Sequence, residues 1–462
     1  MILAKQNSLL MKNIFEPQMI NLPADVEKYF RKNLFKKWNA EIFDNKFFNN
    51  IIIIPAVAEF ENIKKLIHSL IHNDTHHINE TLIFFVINNI ISASEQIKLE
   101  NKQTVSFLKN IINKDSDDNF SKTIAASGLQ IGLIDASSPG YEMDDKNGGV
   151  GLARKIGMDI ALNYFNYQSP NNKIMICLDA DCTVAQNYIG SIVNYFNNKN
   201  VKAAVVNYEH EISETNENTA AIICYELYLR YYLLGLTFAQ SPFAFHTIGS
   251  TMVCDYQSYI KVGGMNKLKA AEDFYFLEKL SKITDVHTIK ETTVYPSSRP
   301  SFRVPFGTGQ RVKRFLSLKQ NEYLLYDPRS FVILRKWIEL LNELDSDNFK
   351  NVIKQAEKID RHLLEFLMLN KFEQFWQKIS KEISSDNQIN RQKKYWFDAF
   401  KTLKLIHYLK DYAYPLVNMF DAIDALLELS GQSERIERNK SVLPDLQKQK
   451  EYLLLLRKLQ NN

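Results

Sequence analysis

The chain has 462 residues, 45% of them apolar and 24% charged, with a formal net charge of +4. That length exceeds one ordinary hydrophobic core, so two domains and a terminal extension are expected. Acidic and basic residues are mixed along the chain, which leaves no electrostatic footprint for nucleic acid. No stretch reaches the roughly 18 uncharged apolar residues of a membrane span, because Glu226 and Arg230 interrupt the closest one, 225–245.

Residues 1–48 are expected to form a helical N-terminal extension, polar at first, then basic and aromatic. Tyr29, Phe30, Leu34, Phe35 and Trp38 fall at near-helical spacing among Lys28, Arg31, Lys32, Lys36 and Lys37. Such a helix suits docking onto the rest of the chain, or contact with an anionic membrane surface. No apolar run followed by small residues marks a secretory signal. The four cysteines, Cys177, Cys182, Cys224 and Cys254, make no close metal-binding pair and fit free thiols in a reducing compartment. The expected location is cytoplasmic, with peripheral contact at the inner face of the membrane as a further option.

From 49 to 318 short β-rich runs alternate with helical stretches, the pattern of an α/β sheet. Strands are expected at Ile51–Ile54, Leu82–Ile87, Leu129–Ile134, Ile174–Leu178, Ala203–Val206, Ile248–Cys254 and Val286–Ile289. Helical periodicity fits 60–72, 150–165, 186–198, 218–235 and 272–282. From 319 to 462 glycine and β-runs nearly vanish. Apolar residues recur at helical spacing through 330–343, 350–382, 393–411, 414–430 and 444–459, so an all-helical C-terminal domain is expected.

The chemistry falls in the α/β part. A strand of apolar residues ends in Asp179-Ala180-Asp181, which puts two carboxylates at the carboxyl edge of a sheet, where open α/β folds bind ligands. Two carboxylates so close repel each other, and a divalent cation with attached phosphate oxygens relieves that repulsion. Alone, an Asp-x-Asp pair is also an ordinary polar turn.

The surrounding order gives it meaning. Pro55-Ala56-Val57-Ala58-Glu59, Gly151-Leu152-Ala153-Arg154-Lys155-Ile156-Gly157, Asp179-Ala180-Asp181, Gly263-Gly264-Met265 and Ala271-Glu272-Asp273-Phe274 follow one another between about 50 and 315. This succession resembles glycosyltransferase family 2. The resemblance implies a GT-A fold and transfer of a sugar from a nucleotide-sugar donor, UDP-linked by preference, to a hydroxyl acceptor (glycan, lipid-linked or small molecule). It also implies a divalent cation, Mn2+ or Mg2+. Departures are Ala58 where asparagine is usual, Asn88-Asn89 where an aspartate reads the base, and Arg311-Val312-Lys313-Arg314-Phe315 in place of the Gln-x-x-Arg-Trp of processive members.

By that resemblance, Glu59 and Asn88 would lie beside the nucleotide, Arg154 would meet the diphosphate, and Asp179 would touch ribose or metal. Asp181 would be the main metal ligand, with His287 a further candidate. Asp273 would be the base that takes the acceptor's proton, and Glu272 would support it. Arg299, Arg303 and Arg311 lie in a Pro/Gly-punctuated basic segment, where Gly307 and Gly309 would hinge a lid over the donor. His246 is a candidate for the acceptor site. An inverting reaction is expected. A retaining enzyme and a binding or scaffold protein on a degenerate transferase domain are the alternatives. A nucleotidyltransferase would need a phosphate-cradling Gly-rich loop after the first strand, which Pro55–Glu59 lacks.

Overall fold

The structure is a computed structural model. It describes residues 22–461 except 34, 44–45, 116–117, 213–217, 300–307, 318–320, 346–348, 383–384 and 441. Arg303 and Gly307 lie outside the described residues.

A mixed sheet organises the first two-thirds of the chain. Its strands are β1 (Ala40–Ile42), β2 (Asn50–Ala56), β3 (Thr81–Asn88), β4 (Gln130–Ala136), β5 (Ile174–Cys177), β6 (Thr183–Val184), β7 (Ala203–Tyr208), β8 (Met252–Asp255) and β9 (Val286–Tyr295), in the order β1-β4-β3-β2-β5-β8-β7-β9-β6. β2 runs parallel to β3 and to β5, and β3 runs parallel to β4. β8 runs antiparallel between β5 and β7. All seven residues of β2 and all eight of β3 are buried, because helices cover both faces. That is why these strands read as unbroken apolar runs.

Alternation along β2 sorts its side chains between two cores. Ile52 and Ile54 join Ile63, Leu66 and Leu108 on one face; Ile51 and Ile53 join Leu152, Ile156 and Met175 on the other. Order 3-2-5 in the middle of the sheet makes the gap between the carboxyl ends of β2 and β5 a topological switch point, the expected ligand crevice of such a fold.

The N-terminal helix Ala24–Asn33 is docked, not free. Tyr29 donates a 2.7 Å hydrogen bond to the buried Asp159, which also accepts from Tyr259 at 2.6 Å and pairs with Lys155 at 2.9 Å. Trp38 donates to the Tyr141 carbonyl at 2.7 Å. The two aromatic residues therefore face inward, and the aromatic face that a membrane would need is occupied. Gly263 and Gly264 both take positive φ, and a Cβ on Gly264 would sit 2.0 Å from the Tyr29 hydroxyl. The paired glycines thus admit the N-terminal helix.

From Pro328 the chain is helical except for the two-residue strand Val417–Asn418, which pairs with Leu324–Leu325. The C-terminal part is therefore not all-helical, and the helix expected over 414–430 starts at Met419. The stretch 350–382 breaks into three helices, Phe349–Ile359, Arg361–Leu369 and Phe372–Glu382, and the apolar residues around 393–411 divide between Asp386–Trp396 and Ala399–Tyr412. Their core contains Trp337, Phe372, Leu405, Phe420 and Leu453, and it also takes in Ile223, Leu227, Tyr231 and Leu234 of the helix Thr219–Phe238. That helix is apolar nearly all round because it lies between the sheet domain and the C-terminal helices.

Glu226 and Arg230, which break its apolar run, are fully buried. Glu226 accepts from Arg230 Nε at 2.7 Å, from Arg457 Nε and Nη2 at 2.8 Å each, and from His210 Nδ1 at 3.0 Å. Burial alone would raise its carboxyl, but His210, Arg457 and Arg230 hold it well below the usual range. Arg457 belongs to the last helix, Leu446–Asn461, so the end of the chain is tied to its middle. Among the described residues no helix is long and apolar enough to cross a membrane.

Candidate active site at the switch point

Glu59 follows β2 at the start of the helix Phe60–Ile71, and Asp179 and Asp181 follow β5, where the Leu178 amide still bonds the Ile53 carbonyl at 3.1 Å. The two strand ends are neighbours, so residues far apart in sequence converge. Arg299, just beyond β9, joins them: its guanidinium donates to Glu59 and pairs with Asp181 at 3.4 Å. Glu59 also accepts from Asn62 at 2.5 Å.

A second arginine makes a matching bridge underneath. Arg154, in the helix Val150–Ala161, donates to Glu272 and to Asp179. It is 2% exposed, and a Cβ on Gly249 would lie 2.3 Å from its Nη2, so a glycine is required at that wall. Burial disfavours the guanidinium's charge, yet Asp179 and Glu272 raise its pKa above the ordinary value. The resemblance put Arg154 on the diphosphate. Its burial makes it instead a positioning residue that fixes two carboxylates.

Glu272 and Asp273 open the helix Glu272–Ser281, whose preceding residue Ala271 has φ 58°. Glu272 points inward to Arg154. Asp273 is only partly covered, and one of its oxygens accepts from the Phe274 amide at 2.7 Å. Burial first, then the charge of Glu272, pushes the Asp273 carboxyl up to about 7 against the pull of Arg154. A carboxylate poised near neutrality can exchange a proton at working pH.

Other expected residues lie elsewhere. Asn88 is buried, and its amide donates to the Ala56 and Val86 carbonyls at 3.1 and 3.0 Å. Asn101 adds bonds to the Asn88 carbonyl and to Asn89. These asparagines staple the first βα turn, and the Asn88 amide hydrogens are not offered to a base. His287 stands at the amino end of β9, opposite Ala204 and near the Tyr195 ring. β9 runs parallel to β7, so His287 sits at the end of the sheet away from the carboxyl edge that carries Asp181. It is not brought to the aspartates. His246 is buried against Tyr208 and Gln460, and burial lowers it to about 3. Arg311 pairs with Glu322 at 3.2 Å, over the Tyr228 ring, rather than with the aspartates. The sequence reading missed that environment, since Tyr225 and Tyr228 on an apolar helix look like core.

A mixed sheet with paired aspartates leaving the strand beside the switch point, followed by a helical region, defines the GT-A class of fold. Residues 139–261 match the family model "Glycosyl transferase family 2", so this part of the chain is similar to that family of glycosyltransferases. The match spans Arg154, Asp179 and Asp181; Glu59, Glu272 and Asp273 lie outside it.

Among solved structures the chain is similar to the S. aureus TarS fragment 1–349 in complex with UDP-GlcNAc, at 12% identity and a TM-score of 0.36 over 75% of this chain and 91% of that one. It is similar to the mannosyltransferase PcManGT of Pyrobaculum calidifontis in complex with GDP-Man and Mn2+, at 11% identity and a TM-score of 0.36 over 95% and 94%. Both likenesses are distant. No curated protein matches the sequence.

Proposed function

We propose that the protein transfers a sugar from a nucleotide diphosphate sugar to an acceptor hydroxyl with inversion at the anomeric carbon. The observation that carries this reading is the convergence of Glu59, Asp179, Asp181 and Glu272 at one switch point through two arginine bridges, with Asp273 next to Glu272 at the same helix start. The donor lies with its nucleotide toward Glu59 and its diphosphate toward Asp181. UDP is the nucleotide we assign, from the resemblance of the sequence blocks. Base selection comes from a group other than the Asn88 amide, whose hydrogens are spent.

Asp179 and Asp181 are each about one-third exposed. Among the described residues no group of three or more His, Cys, Asp or Glu side chains is placed to hold a metal ion. Mg2+ and related hard cations use one or two carboxylates and complete their shell with substrate phosphates and water, so this donor set fits a cation that arrives with the diphosphate. Asp181 and Asp179 would hold it, and it would stabilise charge on the departing diphosphate.

Asp273 takes the proton from the acceptor hydroxyl as that oxygen bonds to the anomeric carbon. The bond from that carbon to the diphosphate oxygen breaks, and nucleoside diphosphate leaves. Arg154 keeps Glu272 turned inward, so Asp273 is the carboxylate left toward the acceptor. Titration of UDP by calorimetry, with Mn2+ and with EDTA, tests the donor site. Metal-dependent binding that Asp181→Ala weakens is expected; equal affinity in both conditions would remove the reading.

A further inference from the structure

Ala221, Cys224, Tyr225 and Tyr228 recur on one face of the helix Thr219–Phe238, and Arg311, Arg314 and Phe315 do the same on the helix Thr308–Leu316. Between these faces lies a cavity of about 260 Å³, closed by Glu322 and Lys410 among others. That is just below the usual range of ligand pockets, roughly 300 to 1,000 Å³. It can seat one compact polar group.

Its charge is uneven. Glu322, 8% exposed in its side chain, accepts from Arg311 Nη1 at 3.2 Å and from Arg314 Nη2 at 2.6 Å. One carboxylate is thus shared by two guanidinium groups. Lys410 adds a third cation, with Asp411 at 2.9 Å beside it. The lining is therefore net positive, and Tyr225, Tyr228 and Phe315 give it aromatic walls. The helix that carries Tyr225 follows the carboxyl end of β7, the sheet edge that also carries Asp181. Burial first, with the charge of Asp273 among the smaller causes, pushes the Tyr225 phenol up to about 12, so it stands neutral in the cavity lining.

We propose that this cavity is an acceptor subsite for a sugar or polyol bearing a phosphate or carboxylate, with the anionic group on Arg311 and Arg314. The proposal rests on the reading of Asp273 as the base. Guanidinium forks suit such oxyanions, and aromatic walls suit the apolar faces of a sugar ring. Arg311, expected on the donor, is reassigned to the acceptor.

Calorimetry on the full chain decides it, with glucose 6-phosphate, glucuronate, glucose and inorganic phosphate as probes. Glucose 6-phosphate and glucuronate should bind at least about tenfold more tightly than glucose, the scale of one charge-assisted hydrogen bond. Glucose 6-phosphate should also exceed inorganic phosphate. Arg314→Gln and Lys410→Gln should each weaken glucose 6-phosphate severalfold, with the folded state checked by circular dichroism. Equal affinity for glucose and glucose 6-phosphate, equal affinity for inorganic phosphate, or no binding of any probe would overturn the subsite. So would capture on phosphatidic acid vesicles without response to glucose 6-phosphate. UDP titration of the same protein separates the two readings. Loss of UDP binding with glucose 6-phosphate retained removes the donor site alone, and the reverse removes the subsite alone.

Discussion

Arg154 and Glu272, 118 residues apart in the chain, form a buried ion pair beneath the paired aspartates. The pair joins the helix after the glycine-rich turn to the helix that presents Asp273. Of the two acidic residues that open that helix, Glu272 meets the guanidinium and Asp273 accepts from the Phe274 amide.

Removing the arginine should be costly. Arg154→Gln leaves Glu272 buried without a counter-charge, which typically destabilises by about 3–5 kcal/mol. Urea denaturation should show that loss. Arg154→Lys should recover part of the stability and little of the activity, because an ammonium cannot reach both carboxylates with a planar fork.

Asp273→Asn should leave UDP affinity near that of the unaltered protein and lower turnover by at least about a hundredfold, the usual scale of general-base loss. In the unaltered protein the rate should rise with pH through about 7, as the Asp273 carboxyl ionises. The same shift has a stability sign. A carboxyl whose folded pKa lies above its unfolded value of 3.8 binds more protons when folded, so stability falls as pH rises from about 4 to about 7. Asp273→Asn should flatten that slope in denaturant midpoints measured across this window.

Donor and cation should stabilise the fold together. At a hundredfold excess over Kd a ligand adds about 2.7 kcal/mol, so UDP with Mn2+ should raise the melting temperature by several degrees. UDP with EDTA should do much less, and Asp181→Ala should abolish the difference.

Vesicles should not capture the protein through its N-terminal segment. Tyr29 and Trp38 are buried and hydrogen-bonded within the sheet domain. Co-sedimentation with anionic liposomes at low salt should leave the protein in the supernatant. Pelleting that charge reversal at Lys32, Lys36 and Lys37 abolishes would show the opposite.

The sheet was legible because β2, β3 and β5 are short apolar runs buried on both faces. The edge strands β1 and β6, of three and two residues, were not, since so few residues carry no periodicity. The long helix Glu95–Asn113 also escaped notice, because its apolar positions are diluted by Asn101 and Thr104, which are buried. Asn101 is there to bond Asn88 and Asn89. Asp179, Asp181 and Asp273 could be picked out from local blocks. The partner of each could not: which carboxylate Arg154 or Arg299 meets is decided by strand order, and nothing local encodes it.

The bond network around Glu226 has a consequence for how the protein is made. Arg457 reaches Glu226 across 231 residues. At roughly 5–20 residues per second of synthesis, that interval lasts roughly 10–50 s. Throughout it, a helix with a buried acid and a buried arginine lacks the cation that completes its charge balance. The sheet can assemble early on the ribosome, but the wall beside His210 and Thr308 waits for the last helix to emerge. During that wait the part of Thr219–Phe238 that packs against Leu446–Asn461 stays uncovered.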